Sequence, residues 1–434
     1  MDYVSIDLDK KLNQPFLSHS EYFIHRVHNL LREQNPKAYE PETLAIGPYN
    51  YAKPNLQAFQ EHKLRYLHFL LRRVNEPSVY RYITAMRALQ ERARRYYAEP
   101  LSLSDDEFLE MMLLDSCFIV ELFRKFTIAH MRDPHDPLFR MDWIHQSIWR
   151  DLMLFENQLP FFVLSQFFNM SKDSDPQDNL TYLAIRYGSY IRQYYTRSKS
   201  LIPEVIVSAS ATISTHDTKH LLGLVHTINC LPLQNVLSNG SKNLKNRWQF
   251  IGCATELLES GIKFRKAGDD TALMDIKFVN GTLVIPAFSV EEKLESIMRN
   301  VIAYEQLLTD TSCKFVTDYL TFWFCLVNSS KDVSLLRRYG IFNNMLGDDE
   351  TASVLLSKAS TCLFVSRDEF CYSEVFNSIN AYCRRRHNIW KAILKRRYFN
   401  SPWAIISFLG ALVLLLLTSI QTLFSILSYF TCNS

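Results

Sequence analysis

The stretch SDDEFLEMMLLDSCFIVELF, Ser104 to Phe123, decides the fold. Ser104 followed by Asp105, Asp106 and Glu107 is a capping-box start, in which hydroxyl and carboxylate each satisfy a backbone N–H that the first helical turn leaves free. Beyond the cap, apolar residues fall on nearly every side. A helix without a polar face must be surrounded by other elements. The spacing predicts a central helix from Leu103 to Lys125 in a mainly α body.

Outward from it, Trp143 to Phe168 (WIHQSIWRDLMLFENQLPFFVLSQFF) reads as a second such helix, interrupted at Pro160. Leu56–Arg73 and Tyr80–Tyr97 carry helical periodicity, as does Glu21–Arg32 through Phe23, Ile24, Val27, Leu30 and Leu31. Between them PKAYEPETLAIGPYN, residues 36–50, is an extended loop pinned by its prolines. Residues 1–20 read as a flexible N-terminus, 21–197 as a first helical lobe, and 198–246 as a connection around one short apolar helix.

The second lobe, 247–397, is predicted to open with a helix through Glu259. A β-hairpin over 273–285 follows, with Asn280-Gly281 between two alternating runs, the composition of a two-residue turn. Helical patterns then run Val290–Leu308, Val316–Asn328, Val333–Arg338, Thr351–Ser357 and Glu369–Arg397. No 20- to 50-residue period recurs.

A membrane anchor is predicted over 398–434. Trp403 to Phe430 carries no charge, and Ala404–Leu427 as a helix would span about 36 Å, enough for a hydrocarbon layer of about 30 Å. Trp403 and Tyr429 suit the two interfaces. Arg384, Arg385, Arg386, Lys391, Lys395, Arg396 and Arg397 form a basic flank suited to anionic headgroups. The positive-inside tendency then places the bulk of the chain in the cytosol as a single-pass, tail-anchored protein. Sequons at Asn169, Asn179, Asn239, Asn280 and Asn328 should stay bare in that orientation. Ser407, Gly410, Ala411, Leu414, Thr418 and Gln421 share one face of the anchor, and apart from Leu414 they are small or polar, a pattern that lets helices self-associate in lipid.

Composition narrows the function classes. The net charge of +3 makes no case for nucleic acid, and eleven glycines in 434 residues argue against glycine-rich phosphate loops. Nine cysteines without a C-x-x-C pair read as reduced thiols rather than a disulfide framework. Motifs for zinc proteases, P-loops and serine hydrolases are absent, and no cofactor is expected. His25 and His28, three apart on one expected helix, have no matching His or Cys pair, so no metal is expected. Arg81, Arg87, Arg92, Arg94 and Arg95, interleaved with tyrosines, read as a solvated helix face. Asp115, Glu121, Arg150, Asp151 and Glu156 lie in the two most apolar helices, where charges must be paired. They are expected to form a buried polar network docking those helices, with Arg150 paired to Asp115 or Glu121.

In order along the chain, LAIGPYN, LQAFQEHKLRYL, DDEFLEMMLLDSCFIVELF, WRDLMLFENQLPFFVL, CATELLESGIKF, LMDIKFVNGTLVIPAF, MRNVIAYEQ, KDVSLLRRYGIFNNML and NSPWAIISFLGALVLLLLTSIQT resemble the plant domain of unknown function 247 family, also called UPF0481 proteins. The resemblance runs from about Glu21 to Tyr429. It implies a plant protein with one terminal hydrophobic segment and no established activity or catalytic residues. Some grass members are linked to self-incompatibility loci as candidate pollen-side recognition factors. Asn50 departs from the pattern, since relatives typically have His after IGPY.

Together these features point to a membrane-tethered, non-enzymatic protein whose helical body binds unidentified protein partners in signalling or recognition. The competing expectation is a membrane-bound enzyme of unknown class using the buried carboxylates near Asp115 and Glu156. A third, a component of an extracellular recognition system, requires the body on the other side of the membrane.

Overall fold

A computed structural model describes residues 3–12, 22–172, 175, 177–196, 218–239, 248–269, 271–308, 314–360, 363, 365, 370–385 and 402–432. The chain is mainly α-helical. In order the helices are α1 (Tyr3–Leu12), α2 (Asn29–Arg32), α3 (Gln60–Arg73), α4 (Tyr80–Arg94), α5 (Asp105–Thr127), α6 (Asp142–Leu152), α7 (Phe161–Met170) and α8 (Leu180–Thr196). They continue as α9 (Leu221–Asn239), α10 (Ala254–Glu259), α11 (Leu294–Leu307), α12 (Phe315–Leu326), α13 (Ser330–Arg338), α14 (Asp349–Ser360), α15 (Ser373–Cys383) and α16 (Pro402–Cys432).

The capping box forms as its composition requires: the Glu107 N–H donates to Ser104 Oγ and the Ser104 N–H to Glu107 Oε2. From Phe108 to Lys125 almost every α5 residue is buried, and α3, α4, α7 and α8 pack around it. This first core draws on residues 24–224 and takes in Ala303 of α11. A second core spans Cys230 to Ile379. The polar side chains of α11 dock on the turn at 36–39: Asn300 Nδ2 donates to the Ala38 carbonyl at 2.9 Å, and Asn300 Oδ1 accepts from Phe155 N–H.

The β structure exceeds the hairpin read from the sequence. β2 (Lys277–Val279) and β3 (Thr282–Ile285) are antiparallel, with Asn280 at φ 50° and Gly281 at φ 76°, the left-handed pair that the twist-matched two-residue turn demands. β1 (Lys263–Lys266) adds in parallel on the far edge of β3, while β4 (Phe288–Val290) pairs in parallel with β5 (Phe342–Asn344). β1 is only KFRK, too short and too charged to show alternation.

Several expected helices are shorter. Glu21–Arg32 is helical only over α2, because Phe23 and Ile24 N–H groups donate to the Tyr96 carbonyl and Ala98 N–H to that of Ile24, drawing the segment into an extended pairing. His25 and His28 therefore do not share a helix face. The helix expected from Arg247 begins at α10; of the one expected over 369–397, α15 covers Ser373–Cys383, and 386–397 lie outside the described residues. The polar N-terminus, read as flexible, contains α1. In place of one interrupted helix over 143–168 stand α6 and α7, joined by a buried segment at 153–160. Residues 198–217 and 240–246 of the expected connection lie outside the described residues, and α9 lies within it.

Candidate functional site

A buried loop is tolerable only if its backbone polar groups find partners inside the protein. The 153–160 segment and the proline-pinned loop meet this requirement together. Asn157 Nδ2 donates to the carbonyls of Leu44 and Asp151 at 2.9 Å each, and its Oδ1 accepts from Ile46 N–H. Gln158 Nε2 donates to the Leu152 and Leu154 carbonyls, and its Oε1 accepts from Leu222 N–H. Asn50 donates to the Glu156 carbonyl and to Asn157 Oδ1. Gly47 holds φ 71°, and a Cβ there would lie 2.4 Å from the Gln158 carbonyl oxygen. Only glycine meets both conditions.

The ionic residues complete this lattice, with different pairings from those expected. Arg150 reaches neither Asp115 nor Glu121. Its guanidinium donates to Asp151 Oδ1 at 2.8 Å and to the backbone carbonyls of Glu40 and Lys37 at 2.5 and 2.7 Å. Asp151 in turn accepts from the consecutive N–H groups of Glu42, Thr43 and Leu44. Asp115 is paired instead with the buried Lys63, Nζ to Oδ1 at 2.5 Å, while its Oδ2 accepts from Gly47 N–H at 2.8 Å. Glu156 accepts from Val27 N–H at 2.5 Å and from Arg32. Glu121 pairs with Arg73 at 2.8 Å and Arg124 at 2.9 Å. The proline-rich loop, more than the helix pair, is what Asp115, Arg150 and Asp151 dock. Burial outweighs their favourable partners and pushes the carboxyls of Asp115 and Asp151 above the usual range.

Two cations central to this arrangement escape a reading of apolar runs. Lys63 sits with Tyr66, Leu67 and Leu70 on the buried face of α3. That i, i+3, i+4, i+7 spacing was the available signal. Arg124, at the end of the long apolar run, grips Asp178 bidentately at 2.8 and 2.9 Å and donates to Ser171 Oγ. At α4 the arginines keep the solvated face read from the sequence: Arg81, Arg87, Arg92 and Arg95 are exposed, while Arg92 lies over Phe162, Arg94 over Phe108, and Arg81 donates to the Met170 carbonyl.

In the second core, Glu305 of α11 is fully buried and organises the start of α12. Its Oε1 accepts from Val316 N–H at 2.9 Å, and its Oε2 from Thr317 N–H and Oγ1 at 2.8 and 2.6 Å. His226 Nε2 stands 2.7 Å from Oε1, and Cys230 Sγ lies 3.6 Å from the same nitrogen. These three side chains form a group that could hold a metal ion, brought together from α9 and α11. His226 and Cys230 are one turn apart in the apolar run HLLGLVHTINC; the third donor, 75 residues further on, is invisible to a spacing search.

Nearby, Asp318 accepts from Cys371 N–H at 2.8 Å, and burial pushes its carboxyl up to about 7. Its folded value lies above the ordinary 3.8, so between these values the native state holds a proton that the unfolded chain has released. Stability should therefore fall as pH rises from about 4 to about 7, and Asp318→Asn should remove that slope. Urea unfolding at stepped pH measures it; equal slopes in both proteins would discount the buried carboxyl.

At the C-terminus, α16 contains Ile406–Ser428, 23 residues long and apolar enough to cross a membrane, with none of it buried against the body. The hydroxyls of Thr418, Thr422 and Ser425 donate to the carbonyls four residues earlier, so the helix satisfies them internally. A Cβ added at Gly410 would meet nothing within 4 Å beyond the helix itself, and Leu414 and Gln421 are exposed. Trp403 and Tyr429 fall within α16. Of the basic flank, Arg384 donates to Gln249 Oε1 at 2.6 Å and Arg385 lies over the Tyr382 ring. Arg386, Lys391, Lys395, Arg396 and Arg397 lie outside the described residues.

Comparison with known proteins places these features in context. The family model described as DUF247, plant protein of unknown function, matches residues 24–417. The chain is 30% identical over 422 residues to a UPF0481 protein of Arabidopsis thaliana, covering 94% of this chain and 86% of the relative. It is 21% identical over 511 residues to a putative UPF0481 protein of the same plant, covering 98% of this chain and 93% of that one. No solved structure matches the chain.

Proposed function

From the premise that this chain belongs to the plant DUF247 family, whose function is unknown, we propose that it is a single-pass membrane protein whose helical body serves protein interaction in signalling or recognition. The observation that carries the reading is the exposed, charge-free stretch 406–428 on α16. Water does not tolerate so long an unpartnered apolar helix, whereas a bilayer requires one of this length. The basic segment beside it faces anionic headgroups on the cytosolic side, and the Gly410, Leu414, Thr418 and Gln421 face supports self-association in lipid.

An enzyme built on Asp115 and Glu156 would need them open to a substrate. Both are buried and held by cations and backbone N–H groups, which supports a structural role in a binding scaffold. The self-incompatibility link of some family members makes recognition the kind of interaction to seek first.

Fractionation tests the tether. The full-length chain should sediment with membranes, resist alkaline carbonate and dissolve in detergent, while a chain ending at Asn400 should move to the supernatant. Full-length protein left in solution after high-speed centrifugation of lysed cells would refute it. In the same preparation the sequons should be bare; glycans at the exposed Asn169, Asn179, Asn280 or Asn328 would put the body on the opposite side. Proximity labelling from the intact protein would then identify partners.

A further inference from the structure

Along its length α9 moves from one core to the other. Leu221, Leu222 and Leu224 belong to the first, Cys230 to the second. At this crossover the donor atoms of His226, Cys230 and Glu305 lie within 4.8 Å of one another. An imidazole nitrogen, a thiol and a carboxylate make a donor set suited to borderline-soft zinc rather than to magnesium or calcium.

Glu305 is also held as a metal-ligating carboxylate generally is. Val316 N–H fixes Oε1, and Thr317 N–H and Oγ1 occupy Oε2, leaving further acceptor capacity of Oε1 turned to His226. Without a metal, His226 Nε2 would be shared between Glu305 Oε1 at 2.7 Å and the Cys230 thiol at 3.6 Å. A cation among the three donors employs all of them and neutralises a buried carboxylate.

We propose that His226, Cys230 and Glu305 bind one zinc ion, which staples α9 to α11 and, through Glu305, to the start of α12. On binding, the Cys230 thiol gives its proton to solvent and ligates as thiolate. His226 ligates through neutral Nε2 and Glu305 through Oε1, and the fourth tetrahedral position is left to water.

The test uses the full-length chain in detergent, stripped with a chelator and titrated with Co²⁺ alone. One Co²⁺ per chain should bind, with tetrahedral visible bands and a near-ultraviolet thiolate-to-cobalt band, and Zn²⁺ should displace it. Cys230→Ser, checked for folding by far-UV circular dichroism, should lose the thiolate band. Thr317→Val, which removes the hydroxyl donor to Oε2 and leaves the Thr317 N–H in place, should weaken binding roughly 10- to 100-fold. No thiolate band in the wild type, or one that survives Cys230→Ser, overturns the site. If Cys230→Ser does not fold, zinc-edge X-ray absorption of the loaded wild type decides: one sulfur at about 2.3 Å supports the site, and a shell without sulfur overturns it.

Discussion

Replacing Lys63 with methionine should lower the unfolding free energy by about 3–5 kcal/mol, the usual effect of stranding one partner of a buried ion pair. The ammonium and the Asp115 carboxylate are each 1% exposed and 2.5 Å apart. Methionine keeps most of the volume, so the loss is electrostatic rather than a cavity. The carboxylate would retain Gly47 N–H but lose its counter-ion, and Ala45 would lose the donor to its carbonyl. Adding Asp115→Asn should restore a large share, because the amide oxygen still accepts from Gly47 and no buried charge remains. The two changes should thus be non-additive by more than about 1 kcal/mol. Denaturant unfolding in detergent measures both, and a Lys63→Met chain within 1 kcal/mol of wild type would show the pair to be dispensable.

Arg124→Met should be comparably damaging, also about 3–5 kcal/mol. This fully buried guanidinium spends its donors on Asp178, Glu121 and Ser171 and lies over the Phe168 ring, joining α5 to α7 and the turn before α8. Arg124→Lys should recover little, since an ammonium keeps the charge but cannot reproduce the planar fork on Asp178. Full rescue by lysine would mean that charge alone, not bidentate geometry, holds the junction.

Those two cations mark where reading the chain in one dimension succeeds and fails. The capping box and all-round apolar run of α5 announce a central helix, because both are local patterns enforced within a few residues. The Asn280-Gly281 turn is equally local. Asp115, Glu121, Arg150, Asp151 and Glu156 are legible as buried charges for the same reason: each interrupts an apolar run. Their partners are not legible, since Lys63 and Arg124 come from other turns or other helices, and Arg150 spends most of its donors on backbone carbonyls that carry no sequence signature. The 21–32 segment shows the converse, an amphipathic pattern overridden by pairing with Tyr96 and Ala98, about 70 residues away.

By itself the order of residues determined the helical character, the hairpin turn, the charge-free terminal helix and the family, because each follows from periodicity, composition or motif order along a single stretch. Tertiary structure alone decided which charges meet, that the proline-pinned loop is what they hold, and that His226, Cys230 and Glu305 converge. Such contacts depend on how distant segments exclude water from one another, and that is a property of packing, not of spacing.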